Sequence, residues 1–98
     1  MPATVVQCPV LTRLNLCGNQ IDDVGAASLA RVLGQCTALA HLDLCGNEIG
    51  TAGAYSLAGV LAQCPALARL NLRFNQIGSD APERIRASWR GQQSGLLL

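Results

Sequence analysis

The sequence predicts an α/β solenoid, a stack of repeats that each contain one strand and one helix. Leucine, asparagine and isoleucine return at equivalent positions of residues 11–21, 39–49 and 67–77, with a constant step of 28 residues. The first two whole repeats, 11–38 and 39–66, are identical at 17 of 28 positions. Each repeat begins with a short alternation of leucine and polar residues, typical of a strand, and continues with helical periodicity. A fixed period of this length indicates repeats that stack on one another.

The shared motif LxxLxLxxNxI resembles a leucine-rich repeat, and the 28-residue step is similar to the ribonuclease-inhibitor-like subclass of that family. The resemblance extends over nearly the whole chain. It implies a right-handed horseshoe segment with three parallel strands on a concave face and helices on the convex face. It also implies relatives among immune sensors, inhibitors and regulators of small GTPases, whose partners differ far more than their folds.

We expect a single domain over residues 1–98. Residues 1–10 align with the end of a helix and are interpreted as the remnant of a preceding repeat, which favours a fragment of a larger protein. Three whole repeats follow, and the last four residues form a tail; the boundaries are 11–38, 39–66, 67–94 and 95–98.

The third repeat is predicted to cap the stack. It matches the second repeat at seven of its first 12 positions and at none of the next 16. Larger polar residues enter the inward stripe of its helix, as expected of a terminal repeat: Ile85, Arg86, Trp89 and Gln92. We expect Trp89 to pack in the core rather than serve as an interface anchor. The tail has no register with the repeats, and the sequence leaves open whether it folds back over the cap or frays.

Polar residues at fixed positions are predicted to hold each repeat together. An asparagine follows each strand, where its side-chain amide can satisfy backbone groups of the turn; these structural residues are Asn19, Asn47 and Asn75. The predicted N-caps of the three helices are Asp23, Thr51 and Ser79.

Small and branched side chains form the predicted inward stripe of the first two helices. The members are Leu29, Ala30, Leu33 and Cys36, followed by Leu57, Ala58, Leu61 and Cys64. Cysteine recurs in one column of this register, at Cys8, Cys36 and Cys64. We therefore expect reduced, packed thiols rather than an extracellular disulfide framework.

The outward strand positions define the predicted binding surface, which we call the strand face. Its three columns are Arg13, His41 and Arg69; Asn15, Asp43 and Asn71; and Cys17, Cys45 and Arg73. Because neighbouring strands lie about 4.8 Å apart, these nine side chains should form one continuous patch. Repeat sheets offer a broad rigid surface, so we predict that the strand face binds a partner protein.

A metal or thiol site on the strand face is the sharper alternative, with His41, Asp43 and Cys45 on one strand and Cys17 next to them. Alternate residues of a strand lie about 6.6 to 7 Å apart, which is long for three ligands of one ion. We therefore predict no metal and no cofactor. Cys17 and Cys45 are expected within disulfide reach, although parallel neighbours seldom have the required side-chain angle. The chain has no phosphate loop, nucleophile elbow or paired acids at a turn, so we predict no enzyme.

Charge and composition disfavour two classes of partner. The net charge is +1, and the seven arginines are interspersed with six acids, so we expect neither nucleic acid nor a membrane as partner. The start of the chain does not resemble a signal peptide, and we expect a cytoplasmic location.

The first repeat is predicted to expose apolar side chains at the open end of the stack. Val5 and Val6 would cover this surface only in part; its residues are Leu11, Leu14, Leu16, Leu29 and Leu33. We therefore expect self-association through this end. The alternative function is a C-terminal regulatory fragment of a larger signalling protein or GTPase regulator, which does not bind a partner on its own.

Overall fold

Strands and helices alternate along the whole described part of the chain. The computed structural model describes residues 10–79, 81–89 and 93–98. The order is β1 (Arg13–Asn15), α1 (Asp23–Leu33), β2 (His41–Asp43), α2 (Thr51–Val60), β3 (Arg69–Asn71), α3 (Ala81–Ser88) and β4 (Leu96–Leu97). Short 3₁₀ turns extend α2 at Leu61–Gln63 and precede β4 at Gln93–Gly95. The four strands form one parallel sheet in the order β1-β2-β3-β4, and α2 packs between α1 and α3, so the α/β solenoid is confirmed.

The strands pair in the 28-residue register that the repeat predicts. Leu14 lies opposite Leu42, and Leu42 lies opposite Leu70. Backbone hydrogen bonds continue this ladder beyond the short strands, because the Leu16 N–H donates to the Asp43 carbonyl at 2.8 Å. The Gly18 N–H likewise donates to the Cys45 carbonyl at 3.0 Å. Residues one repeat apart therefore stand side by side well past the end of each strand.

Leucines from the strands and the helix stripes fill the core. Leu42 and Leu70 of the strands are buried, as are Leu44 and Leu72 directly after the strands and most of the predicted helix positions. At the first repeat, Leu11, Leu14, Leu16 and Leu29 are only half-buried. Leu33, which was expected at the same open surface, is instead buried in the core cluster that α1 and α2 share. Val5 and Val6 lie outside the described residues.

The inward cysteine column is confirmed at two of its three positions. Cys36 and Cys64 are buried, and Cys8 lies outside the described residues. The Cys36 S–H donates to the Val32 carbonyl at 3.6 Å, and the Cys64 S–H donates to the Leu33 carbonyl at 3.5 Å. Burial raises the pKa of the Cys64 thiol. Both thiols act as small packed side chains, as the sequence predicts.

An asparagine ladder ties successive turns together. Asn47 is 6% exposed, and its Oδ1 accepts hydrogen bonds from the backbone N–H groups of Asn19 and Ile21 at 2.9 Å each. Its Nδ2 donates to the carbonyls of Leu16, Leu44 and Cys45. Asn75 repeats this pattern one step along, with Oδ1 accepting from the Ile49 N–H and Nδ2 donating to three carbonyls.

The first member of this ladder differs. Asn19 is exposed, and the hydrogen bond that its side chain makes in the described part of the chain goes to the Cys17 carbonyl at 3.2 Å. The Asn47 side chain is therefore the fuller link, since it satisfies backbone groups of two repeats at once.

The predicted N-caps are displaced by one residue. Asp22 caps α1, with its carboxylate accepting from the Gly25 N–H at 3.0 Å, and Gly50 is the N-cap position of α2. Asp23 instead reaches the next repeat, where its Oδ1 accepts from the Gly50 and Gly53 N–H groups at 2.6 and 3.0 Å. Because Gly50 has no side chain to cap α2, the carboxylate of the preceding repeat takes that role.

The same position of the second repeat makes the equivalent forward contact. The Thr51 hydroxyl accepts a hydrogen bond from the Gly78 N–H at 2.9 Å. Thr51 itself is the first residue of α2 rather than its N-cap. The third predicted N-cap, Ser79, lies before Asp80, which is outside the described residues, and α3 begins at Ala81.

The third helix and the tail depart from the prediction in two respects. Ile85 and Trp89 are buried as expected, but Arg86 is exposed, and Gln92 lies outside the described residues. The tail does not fray. It forms β4, so the sheet has four strands where three were predicted. Leu96 lies opposite Leu70 and is buried.

Glycine at position 95 permits this fourth strand. A Cβ atom placed on Gly95 would overlap the Ala68 carbonyl oxygen and would also contact the Trp89 ring. The backbone before β4 therefore approaches the backbone before β3 more closely than any side chain would permit.

Candidate functional site

The first column of the strand face is assembled as predicted. Arg13, His41 and Arg69 lie opposite one another on β1, β2 and β3. The two arginines are exposed and His41 is half-buried. Six of the nine predicted residues line a shallow groove of about 360 Å³ together with Leu14 and Leu42. They are Arg13, Asn15, His41, Asp43, Arg69 and Asn71.

Cys17, Cys45 and Arg73 lie outside this groove, beyond the carboxyl ends of the strands. Arg73 is exposed, and its Nε–H donates to the Asn71 Oδ1 at 3.4 Å. The third column therefore borders the groove rather than lining it.

The middle column has a structural role that the sequence did not predict. Asn15, Asp43 and Asn71 each use Oδ1 to accept the backbone N–H two residues later, at 3.0 to 3.1 Å. These short local bonds hold the backbone where each strand ends. Asn71 is only 8% exposed, so the prediction that it is an outward contact residue was wrong. Its position opposite Leu97 of β4 explains this burial, because the fourth strand covers the edge of β3.

Positive charge dominates the exposed part of the strand face. Three of its nine residues are arginines and one, Asp43, is an acid. Asp43 is half-buried and uses one carboxylate oxygen to accept the Cys45 N–H at 3.0 Å, whereas all three arginines are exposed. The exposed charge of the strand face therefore comes mainly from guanidinium groups, which pair well with carboxylates.

Two thiols and a carboxylate meet at one corner of the strand face. The Sγ atoms of Cys17 and Cys45 are 2.6 Å apart, and ligand atoms of Cys17, Asp43 and Cys45 all lie within 4.8 Å of one another. The predicted alternative placed Cys17 next to His41, Asp43 and Cys45, and in the described part of the chain the grouped ligand atoms are those of Cys17, Asp43 and Cys45, without His41. The hydrogen bond with Cys17, then burial and the Asp43 carboxylate, raise the pKa of the Cys45 thiol to about 12.

Phe74 is a feature of this edge that the prediction missed. It is 80% exposed and has a φ of +62°, where Gly18 and Gly46 hold the equivalent positions with φ of +72° and +66°. A non-glycine residue in the left-handed region is strained. The replacement of a repeated glycine by phenylalanine was the signal in the sequence that could have identified it. An exposed aromatic ring thus stands next to Arg73 at the rim of the strand face.

None of the helices in the described ranges is long and apolar enough to cross a membrane.

Comparisons with known proteins place these features in a family. The leucine-rich repeat family pattern matches residues 7–30, 35–58 and 63–81, which is well over half of the chain. No curated protein sequence matches. A similar solved structure is that of leiomodin-1 actin-binding site 2, with a TM-score of 0.73 and 22% sequence identity. The alignment covers 81% of this chain but only 47% of that one, so the chain spans about half the length of its neighbour.

The three matched segments, the 28-residue register of the parallel sheet and the asparagine ladder agree with one another. The chain belongs to the leucine-rich repeat family.

Proposed function

We propose that this chain is a protein-interaction module whose strand face binds an acidic surface of a partner protein. Leucine-rich repeat domains generally mediate protein–protein interactions and are typically not enzymes. The observation that carries the proposal is that the three arginines of the strand face, Arg13, Arg69 and Arg73, are exposed while its single acid, Asp43, is half-buried. Arginine is enriched at protein interfaces because its planar group pairs with carboxylates and also packs.

The framework beneath these arginines supports rigid recognition. The middle column of the strand face bonds to its own backbone, and the asparagine ladder holds the turns. A surface that is already ordered loses little conformational freedom on binding, which favours affinity. A partner needs to order only the arginine side chains.

The groove is better suited to a protein than to a small apolar ligand. Its volume of about 360 Å³ is within the range of small-molecule sites. Small-molecule pockets, however, are lined mainly by hydrophobic and aromatic side chains. Here six of the eight lining residues are polar or charged, and the other two are leucines. A polar protein surface matches this lining.

A capture experiment with charge-reversed variants tests the proposal. The wild-type chain, the double variant Arg13→Glu/Arg69→Glu and the control Arg31→Glu are immobilised, and proteins retained from cell extract are quantified. Arg31 is exposed on α1, away from the sheet, and contacts the Ser28 hydroxyl at 3.3 Å. A specific partner should bind the wild type and Arg31→Glu alike and the double variant roughly tenfold or more weakly. A partner set that the double variant leaves unchanged would contradict binding through the strand face.

Purified monomeric actin is a suitable first protein for direct measurement, because the similar solved structure is an actin-binding site. Actin binding that weakens in the double variant and at higher salt would support the proposal and name the partner. Binding that is equal in the double variant would place the contact elsewhere on the molecule.

A second candidate is that the chain acts as a regulatory piece of a larger signalling protein or GTPase regulator. The β1 edge supports it, since in the described residues β1 pairs on one side only. Val10 is 86% exposed beside three half-buried leucines.

Self-association through the β1 edge is a related proposal. Sedimentation over a range of concentrations tests it, and a monomer at every concentration would contradict it.

The ribonuclease-inhibitor-like subclass and a cytoplasmic location are also proposals. The 28-residue step and the α-helix in each repeat support the first, and the reduced state expected of the cysteine column supports the second.

A further inference from the structure

Cys17 and Cys45 are held together by the sheet rather than by a flexible loop. Each residue follows its strand at the same position of successive repeats, 28 residues apart. The hydrogen bonds from Leu16 N–H to Asp43 and from Gly18 N–H to Cys45 flank the pair. The backbone ladder therefore fixes the two residues side by side, and their Sγ atoms are 2.6 Å apart.

The two thiols are also the reachable ones among the cysteines that the structure describes. Cys17 is exposed and Cys45 is half-buried, whereas Cys36 and Cys64 are buried beneath the helices. Cys17 is therefore the more accessible of the two thiols to a reagent in solution, and the Cys45 sulfur is in contact with it.

We propose that Cys17 and Cys45 form a thiol–disulfide exchange site whose substrate is a low-molecular-weight disulfide, with Cys17 as the attacking thiol and Cys45 as the resolving thiol. This assignment does not depend on the proposed partner binding. It follows from the contact of the two sulfur atoms, their unequal exposure and their fixed register.

The exchange balances in two steps. The Cys17 thiol loses its proton to solvent, and its sulfur attacks one sulfur of the substrate disulfide, so that a mixed disulfide forms and one thiolate leaves. The Cys45 thiol then loses its proton, and its sulfur attacks Sγ of Cys17, which breaks the mixed disulfide and releases the second thiolate. The protein dithiol is oxidised to one disulfide, and the substrate disulfide is reduced to two thiols.

The surroundings of Cys45 fit the resolving role. The hydrogen bond with Cys17, then burial and the nearby Asp43 carboxylate, disfavour the thiolate form of Cys45 and raise its pKa. A thiol that keeps its proton reacts slowly with an external disulfide. Once Cys17 carries a mixed disulfide, its thiol no longer hydrogen-bonds to Cys45, so the largest cause of the raised pKa is removed. The adjacent Cys45 can then lose its proton and attack.

A zinc site built from Cys17, Cys45 and Asp43 is the competing interpretation. Two cysteine sulfurs on one zinc ion stand about 3.7 Å apart, because each Zn–S bond is about 2.3 Å and the angle is near tetrahedral. A disulfide bond is about 2.05 Å long. Zinc binding would therefore require the two sulfur atoms to move apart from their contact of 2.6 Å, whereas disulfide formation requires them to be adjacent. The geometry therefore favours exchange over metal binding.

Intact-mass measurement after treatment with oxidised glutathione tests the proposal. The full chain carries Cys8→Ser in every sample, is fully reduced at the start and is quenched with acid at intervals. We expect it to lose two hydrogens, to retain no glutathione and to yield a peptide that links Cys17 to Cys45. The Cys45→Ser variant should accumulate one glutathione on Cys17, because nothing resolves the adduct. The Cys17→Ser variant should react roughly tenfold or more slowly.

Three outcomes would overturn the assignment. They are two glutathiones retained without a link, equal adduct rates at the two single variants, or linkage of another pair of cysteines. Cys36→Ser is the matched control, and it should behave like the parent. Thermal melts of the reduced samples check that each variant is folded.

A second measurement uses zinc ion alone. Stoichiometric zinc binding that resists dialysis and is lost in both single variants would overturn the proposal in favour of a metal site. If the proposal is correct, oxidation instead raises the melting temperature of the parent, because a link across 28 residues restrains the unfolded chain. Neither single variant should show this rise.

Discussion

The first and second repeats carry nearly the same sequence but place it in different environments. Leu16 and Leu44 both precede the residues CGN, yet Leu44 is 0% exposed and Leu16 is half-buried. Asn47 bonds to two repeats, whereas Asn19 bonds locally. The second repeat has described neighbours on both sides and the first on one side. The contribution of a side chain to stability therefore depends on the repeats that flank it more than on the sequence of its own repeat.

The largest difference is expected at the paired leucines. Leu44→Ala should lower the free energy of unfolding by about 4 kcal/mol, because it removes a completely buried side chain and leaves a cavity. Leu16→Ala should cost about 2 kcal/mol, since part of that side chain already contacts water. Urea unfolding measures both. Equal losses would show that the two repeats are energetically equivalent after all.

Substitution of the two equivalent asparagines tests the same difference between the repeats by removing their side-chain hydrogen bonds. Asn47→Ala should cost about 3 kcal/mol, because it leaves buried backbone N–H and carbonyl groups of two repeats unsatisfied. Asn19→Ala should cost about 0.5 kcal/mol, since its side chain is exposed. Thermal melts of the two variants decide the matter. Asn71→Ala would not serve as a control for an exposed asparagine, because Asn71 is buried and accepts hydrogen bonds from Arg73.

A smaller effect is expected at the contact that crosses from the first repeat to the second. Asp23→Ala should cost about 1 kcal/mol and should shift the amide resonances of Gly50 and Gly53, whose N–H groups lose their acceptor. Asp22→Ala should cost a similar amount but shift Gly25, at the start of its own helix. NMR spectra of the two variants give the test. A shift confined to α1 in both variants would contradict capping across repeats.

The smallest effect is a fall in stability at high pH. Burial raises the pKa of Cys64 above 9.0, so the folded state keeps this proton longer than the unfolded state does. The stability that the protonated Cys64 thiol contributes to the folded state is complete below about pH 9. It is lost as the pH rises through the folded-state pKa of this thiol. Melting temperatures measured with reductant from pH 7 upward should fall above that point. Cys64→Ala should show a shallower fall, and an identical slope would argue that the thiol is not protected.

Most of the architecture could be predicted because it depends on a period. The 28-residue step fixed the strand register, the buried leucines and the asparagine ladder, since each follows from the equivalence of repeats. The first column of the strand face, Arg13, His41 and Arg69, was predicted for the same reason. The confirmed features are those that recur at equivalent positions of successive repeats.

The features that sequence reasoning missed depend on contacts between unlike segments. The fourth strand requires Gly95 to approach Ala68, and Leu96 pairs with Leu70 across 26 residues rather than the 28 of the repeat. That strand in turn buries Asn71. The N-caps were misplaced by one residue because Asp23 has the chemistry of a cap but serves the neighbouring helix. Proximity of Cys17 and Cys45 was expected, but the direct contact of their sulfurs depends on side-chain orientation.

The hydrogen bonds between repeats run in both chain directions and end mostly on backbone groups. Asp23 and Thr51 reach forward to N–H groups, and Asn47 and Asn75 reach backward to N–H and carbonyl groups. Every residue except proline offers the same backbone groups, so a new neighbour needs no complementary side chain at these points. Whole 28-residue units can therefore be duplicated or deleted within such a chain with these links intact. A single-residue insertion inside a unit would shift every later donor away from its acceptor. The stack is thus built to change length in whole repeats.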